Sequence, residues 1–188
     1  MKKLVIMPLI ILSLAGGASA GTGRTADIAA LFEQPMLLTS AGQNAELQIA
    51  GVLAKRAGLT YTISKLAGPR ELEGMKTLVV VLGASMKGLG AAGLDMGKEK
   101  ERIAELLGAC RKSRVSVLCL HLGGESRRGP QTDELIAACL PAAAAAVVVK
   151  SGNADKLFSK ILAEKAIPLI EIDKAADALE PLKRLFKD

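Results

Sequence analysis

The chain has 188 residues, with 25 Lys and Arg against 19 Asp and Glu; half of its residues are hydrophobic and only 2% are aromatic. One tyrosine, three phenylalanines and no tryptophan leave little with which to stack bases, and no concentrated basic stripe is present, so nucleic-acid binding is set aside. The length suits one domain with a sizeable aliphatic core.

The opening "MKKLVIMPLIILSLAGGASA" reads as a signal peptide. Lys2 and Lys3 precede an apolar run from Leu4 to Leu14, and Ala18-Ser19-Ala20 supplies the small residues of a cleavage site after Ala20. The run is too short to span a bilayer comfortably and no other stretch is long and apolar enough, so the protein is expected not to be membrane-embedded but periplasmic or secreted. Losing Lys2 and Lys3 brings the basic count from 25 to 23 against 19 acids, only mildly basic. Residues 21–34 are expected to be an N-terminal lead-in, and residues 35–188 a single α/β domain.

Short β-rich runs then alternate with segments of helical period, the pattern of a parallel sheet covered by helices. The first strand is expected over Met36 to Thr39, followed by "SAGQN" and a helix from Ala45 to Ala57, which Gly58 stops. Tyr61 to Leu66 reads as strand two. "GPRELEG" leaves room for little more than one helical turn before Thr77 to Leu82, whose "TLVVVL" fits a strand buried on both faces. A Gly-rich loop is expected from Gly83 to Gly97, then an amphipathic helix from Lys98 to Ser113 with Ile103, Leu106, Leu107 and Cys110 on one stripe. Val115 to Leu122 reads as strand four and "GGESRRGPQT" as its loop, after which Asp133 is expected to cap a short helix ending at Pro141. Strand five lies within "AAAAAVVVK", ending at Lys150. A helix from Ala154 to Lys165, strand six from Ile167 to Ile172 and a last helix carrying Leu179, Leu182, Leu185 and Phe186 complete the domain.

Cys110, Cys119 and Cys139 show no metal-ligand spacing and read as buried apolar residues, a Cys119 to Cys139 bridge being the alternative. "GLGAAG", Gly88 to Gly93, matches the dinucleotide fingerprint G-x-G-x-x-G, but five residues separate it from the preceding strand and four from the next expected helix. The strand that follows ends in "LHL" where the fingerprint wants an acid for a ribose hydroxyl. Flavin binding wants aromatic rings that these loops lack. No cofactor is therefore expected.

Ligands of doubly wound sheets bind beyond the carboxyl ends of the strands, where the strand order reverses. The loops after strands one, three and four share that edge and supply Ser40, Gln43, Asn44, Ser85, Lys87, His121, Glu125, Arg127 and Arg128. Exposed glycine N–H groups, a helix beginning near Ala45 and the cations Lys87, Arg127 and Arg128 suit a small anion. Each residue has a structural alternative. Ser40 and Asn44 fit helix caps, His121 fits a hydrogen-bonded core residue, and the two arginines fit a solvated loop. "GASMK" resembles a nucleophile elbow, so a hydrolase using Ser85 and His121, oriented by Glu125 or Asp95, is the catalytic alternative.

The leader, "PMLLTSAGQNAELQIAGVLAKRAGL", "ELEGMKTLVVVLGASMKGLGAAGLD" and "HLGGESRRG" together resemble an uncharacterised family of small exported bacterial proteins with a Rossmann-like domain. The resemblance covers nearly all the chain after the leader and implies fold and export, with no activity attached. The expected architecture is a three-layer Rossmann-like or flavodoxin-like sandwich around a mainly parallel sheet of five or six strands. The expected function is a periplasmic small-molecule binding or accessory protein for an anion. A protein-interaction module serving a membrane transporter or sensor is a further alternative.

Overall fold

The computed structural model describes residues 30–187. The signal-peptide segment and most of the lead-in lie outside the described residues. Six strands, β1 (Met36–Ala41), β2 (Tyr61–Ile63), β3 (Thr77–Leu82), β4 (Ser116–His121), β5 (Ala145–Val149) and β6 (Leu169–Ile172), form one sheet in the order β2-β1-β3-β4-β5-β6. Every pairing is parallel. The chain moves from β1 outward to β2, then returns past β1 to β3, and the order reverses between β1 and β3.

Six helices, α1 (Glu46–Arg56), α2 (Met86–Ala91), α3 (Met96–Ser113), α4 (Pro130–Cys139), α5 (Leu157–Ala163) and α6 (Leu179–Leu185), complete the three layers. Alternate residues of each central strand point to opposite faces, which divides the core in two. Leu38, Val79, Val81, Leu118, Leu120 and Val147 meet Leu47 and Leu53 of α1 and Leu182 of α6. On the opposite face, Leu37, Leu78, Val80, Cys119 and Val148 meet Ile103 and Leu106 of α3, Leu135 and Ile136 of α4, and Phe158 of α5. The continuous apolar runs of β3 and β5 are buried throughout, as strands covered on both sides must be. Cys110, Cys119 and Cys139 are buried and unbridged; burial pushes the Cys110 thiol up to about 11 and that of Cys139 up to about 12.

Several expected boundaries shift. β2 stops at Ile63 rather than Leu66, and β5 starts at Ala145, after a short 3-10 turn over Leu140–Ala142. The expected loop from Gly83 to Gly97 contains α2, which places Gly88 and Gly90 inside a helix. Gly129 and Pro130 open α4, so Asp133 lies within its first turn instead of capping it. Within the lead-in, Phe32 is fully buried, stacks on Phe186 at 5.5 Å and donates its N–H to Leu185 O at 2.9 Å. The packed body therefore begins ahead of residue 35. Among the described residues no helix is long and apolar enough to cross a membrane.

Candidate functional site

The reversal between β1 and β3 is fixed by backbone contact. Gly42 has φ +100°, and a Cβ there would lie 2.5 Å from Gly83 O and 2.6 Å from the Ala84 Cα, so only glycine lets the two loops meet. Gln43 is also left-handed, at φ +55°. Ser40 Oγ, at the end of β1, accepts the Asn44 N–H at 2.9 Å. Asn44 then reaches across the junction, its Nδ2 donating to Val81 O and Gly83 O, both at 2.9 Å. It is a strap between β1 and β3 rather than a helix cap, and α1 begins with no side-chain cap at all. The Asn44 Oδ1 is buried without a partner.

Beneath this loop lies a buried ion pair. Glu99 of α3 is 0% exposed; its Oε1 accepts the Gly42 N–H at 2.8 Å, Gln43 Nε2 at 3.2 Å and Arg102 Nη2 at 2.8 Å, while Oε2 accepts Arg102 Nε at 2.9 Å. Arg102 goes on to donate to Ala67 O at 2.9 Å and Ser40 O at 2.6 Å. The carboxylate holds the left-handed turn and the guanidinium neutralises it, satisfying a charge that burial would otherwise penalise heavily.

Above the strap opens a groove of about 500 Å³ lined by Gln43, Asn44 and Ala45, by Lys65 and Leu66 after β2, by Ser85, Lys87, Gly88, Ala91 and Ala92 around α2, and by Arg127. Ser85 caps α2, its Oγ accepting the Gly88 N–H at 3.1 Å. A Cβ on Gly88 would come within 2.1 Å of Gln43 O, so this glycine lets α2 lie against the β1 loop. Arg127 Nε donates to Glu46 Oε1 at 2.7 Å, and the other oxygen, Oε2, is buried and unpartnered. Among the described residues Lys65 and Lys87 pair with no carboxylate, and no carboxylate lines the groove.

Gln43, Asn44, Ser85, Lys87 and Arg127 thus converge as their loops suggested, with Ser40 buried directly below. The remaining expected residues do not join them. Arg128 donates Nε to Asp133 at 2.7 Å, both terminal nitrogens to Asp155, and Nη1 also to Gly152 O; its guanidinium lies 5.8 Å over the Phe158 ring. It is a structural clamp, not a free loop cation. Glu125 is exposed and contributes its backbone N–H to Ser151. His121 is 0% exposed, with Nδ1 3.0 Å from Leu82 O and Nε2 3.1 Å from Gly124 O, and its ring packs 5.2 Å from Phe158. Burial holds its pKa below the ordinary value, the two carbonyls pulling it back. With both ring nitrogens against carbonyls and the Ser85 hydroxyl engaged by α2, the structure does not assemble a Ser85–His121 pair.

Sequence reasoning missed Lys65, Glu99 and Arg102. Lys65 was absorbed into an overlong β2. Glu99 had a legible signal: it stands four residues before Ile103 and seven before Leu106, on the stripe that α3 buries.

Residues 33–186 match the family described as a domain of unknown function, DUF6305, and the chain belongs to that family. No curated protein matches it. Among solved structures, a GDSL-like lipase from Bacteroides thetaiotaomicron is similar at 11% identity and a TM-score of 0.34, over 72% of this chain and 66% of the lipase. The psychrotrophic esterase EstA from Pseudoalteromonas sp. is similar at 8% identity and a TM-score of 0.33, over 80% of this chain and 93% of that one. A GDP-L-fucose synthetase from Naegleria fowleri bound to NADP reaches 9% identity and a TM-score of 0.33, over 76% of this chain and 50% of its own. Likeness at this level speaks for no activity.

Proposed function

We propose that this chain is an exported binding protein for a small anion, held in the groove between the loops after β1 and β3. The observation that carries the reading is the groove's charge: Lys65, Lys87 and Arg127 surround it and no carboxylate lines it. Arg127 is half answered by Glu46, whereas the two lysines present uncompensated charge. Ala45 lines the groove at the start of α1, whose first N–H groups have no side-chain cap and add the positive end of the helix dipole. The leader pattern of residues 1–20 supports a periplasmic or secreted setting.

Calorimetric titration of inorganic phosphate and of citrate into the protein and its Lys65→Ala and Lys87→Ala variants tests this. A charge-assisted hydrogen bond is worth about 1.5–3 kcal/mol, so each substitution should weaken binding roughly tenfold or more. Binding that neither substitution changes would place the site elsewhere. No binding of either anion would remove the reading.

A further inference from the structure

The floor of the groove narrows the class of anion, an inference that rests on the anion-binding reading above. Asn44 is only 6% exposed, and its amide orientation is fixed: Nδ2 donates to two carbonyls of β3 and its loop, and exchanging the oxygen and nitrogen would set oxygen against both. Oδ1 is therefore held as an acceptor, and it has no donor. Glu46, which does not line the groove, accepts Arg127 Nε on Oε1 and keeps Oε2 buried and unpartnered, so Asn44 Oδ1 is the unpaired acceptor of the groove itself. The rim thus attracts negative charge while the floor lacks hydrogen. An anion without a hydrogen-bond donor can satisfy the cations but only sets lone pairs against the Asn44 Oδ1.

We propose that the groove selects small anions that carry their own hydrogen-bond donor, such as hydrogen phosphate, hydroxycarboxylates and aminocarboxylates, over anions without one, such as sulfate and simple carboxylates. Asn44 is the specificity-determining residue, because a site built around an unpaired acceptor penalises an analogue that lacks the matching hydrogen. Lys65 and Lys87 supply affinity common to both kinds.

Matched ligand pairs titrated calorimetrically into the full chain at pH 7 test this: phosphate against sulfate, and lactate against propionate. The donor-bearing member of at least one pair should bind tenfold or more tightly. Selectivity confined to phosphate assigns a phosphoryl ligand, and selectivity confined to lactate a hydroxy acid. Lys87→Ala should weaken both members of a pair by a common factor and leave their ratio intact, whereas Asn44→Ala, where it folds, should bring the ratio towards one. Equal affinity within both pairs overturns the selectivity and leaves the anion site standing. Failure of every anion to bind overturns both, and a ratio that survives with no weakening in Lys87→Ala places the selective site outside this groove.

Discussion

Replacing Glu99 by alanine tests whether the junction between β1 and β3 is held by charge. The carboxylate is fully buried and receives Gly42, Gln43 and two nitrogens of Arg102, whose own side chain is 13% exposed. Its removal orphans the Gly42 N–H and leaves the guanidinium facing inward without a counter-charge. Removing one partner of a buried pair costs about 3–5 kcal/mol, a large part of the roughly 5–15 kcal/mol that holds a domain together. Because Arg102 keeps Ala67 O and Ser40 O, the lower end, about 3 kcal/mol, is expected. Arg102→Ala alone should be comparably costly, and the double variant should lose less than the two single losses together by about 2 kcal/mol, since the second removal takes away a charge already unpaired. Urea unfolding with unchanged slopes gives these differences directly. A Glu99→Ala loss below about 1 kcal/mol, or full additivity, would refute the account.

Two neighbouring glycines of α2 should respond oppositely. Gly88→Ala drives a Cβ to 2.1 Å from Gln43 O and should cost about 2 kcal/mol or more in urea unfolding, whereas Gly90→Ala meets open space and should stabilise by about 0.5–1 kcal/mol. His121 makes stability pH-dependent. The unfolded chain takes up a proton near 6.5 and the folded chain only at lower pH, because burial opposes the charge. Stability is therefore present above 6.5 and lost as pH falls towards the folded value, at up to about 1.4 kcal/mol per pH unit. Unfolding midpoints measured from pH 8 to pH 5 should fall less steeply in His121→Phe, and equal slopes would exclude the linkage.

The parts of the fold that could be read from the sequence were those set by local patterning. Runs such as "TLVVVL" have no polar face to give to water, and the stripe of Ile103, Leu106 and Leu107 admits only a helix against the sheet. The strand order was not legible, since burial on both faces leaves each central strand free to take several neighbours. α2 escaped notice because it is six residues long and contains two glycines, so neither periodicity nor propensity marks it; its positioning comes from Ser85 and from the close approach at Gln43. The loops after β1, β3 and β4 were correctly grouped at one edge. What each cation does there depended on distant partners: Arg127 finds Glu46, 81 residues away, and Arg128 finds Asp155, 27 residues away. Adjacent arginines in one loop consequently take different roles, one lining the groove and one locking β4's loop to α4 and the loop after β5.

The distribution of buried polar groups explains why the carboxyl edge, rather than any other part of this aliphatic domain, carries the candidate site. Thr77 closes on Glu33 O at the amino edge, but Ser40, Asn44, Glu99, His121, Thr132 and Asn153 are all buried at or beside the carboxyl ends of the strands. Burying a polar group costs stability unless each of its hydrogen bonds is remade, and apolar side chains of similar size would close that edge more cheaply. Most of these groups do remake their bonds, by strapping loops together: Asn44 joins β1 to β3, Thr132 Oγ1 accepts the Ala84 N–H to join α4 to β3, and Asn153 joins the loop after β5 to α5 and β6. The two acceptors left over, Asn44 Oδ1 and Glu46 Oε2, belong to residues at the start of α1, beside the rim cations. The loops around the groove are thus already strapped together by buried hydrogen bonds, with Lys65 and Lys87 at the rim, so occupation of the groove would require little further ordering of the backbone.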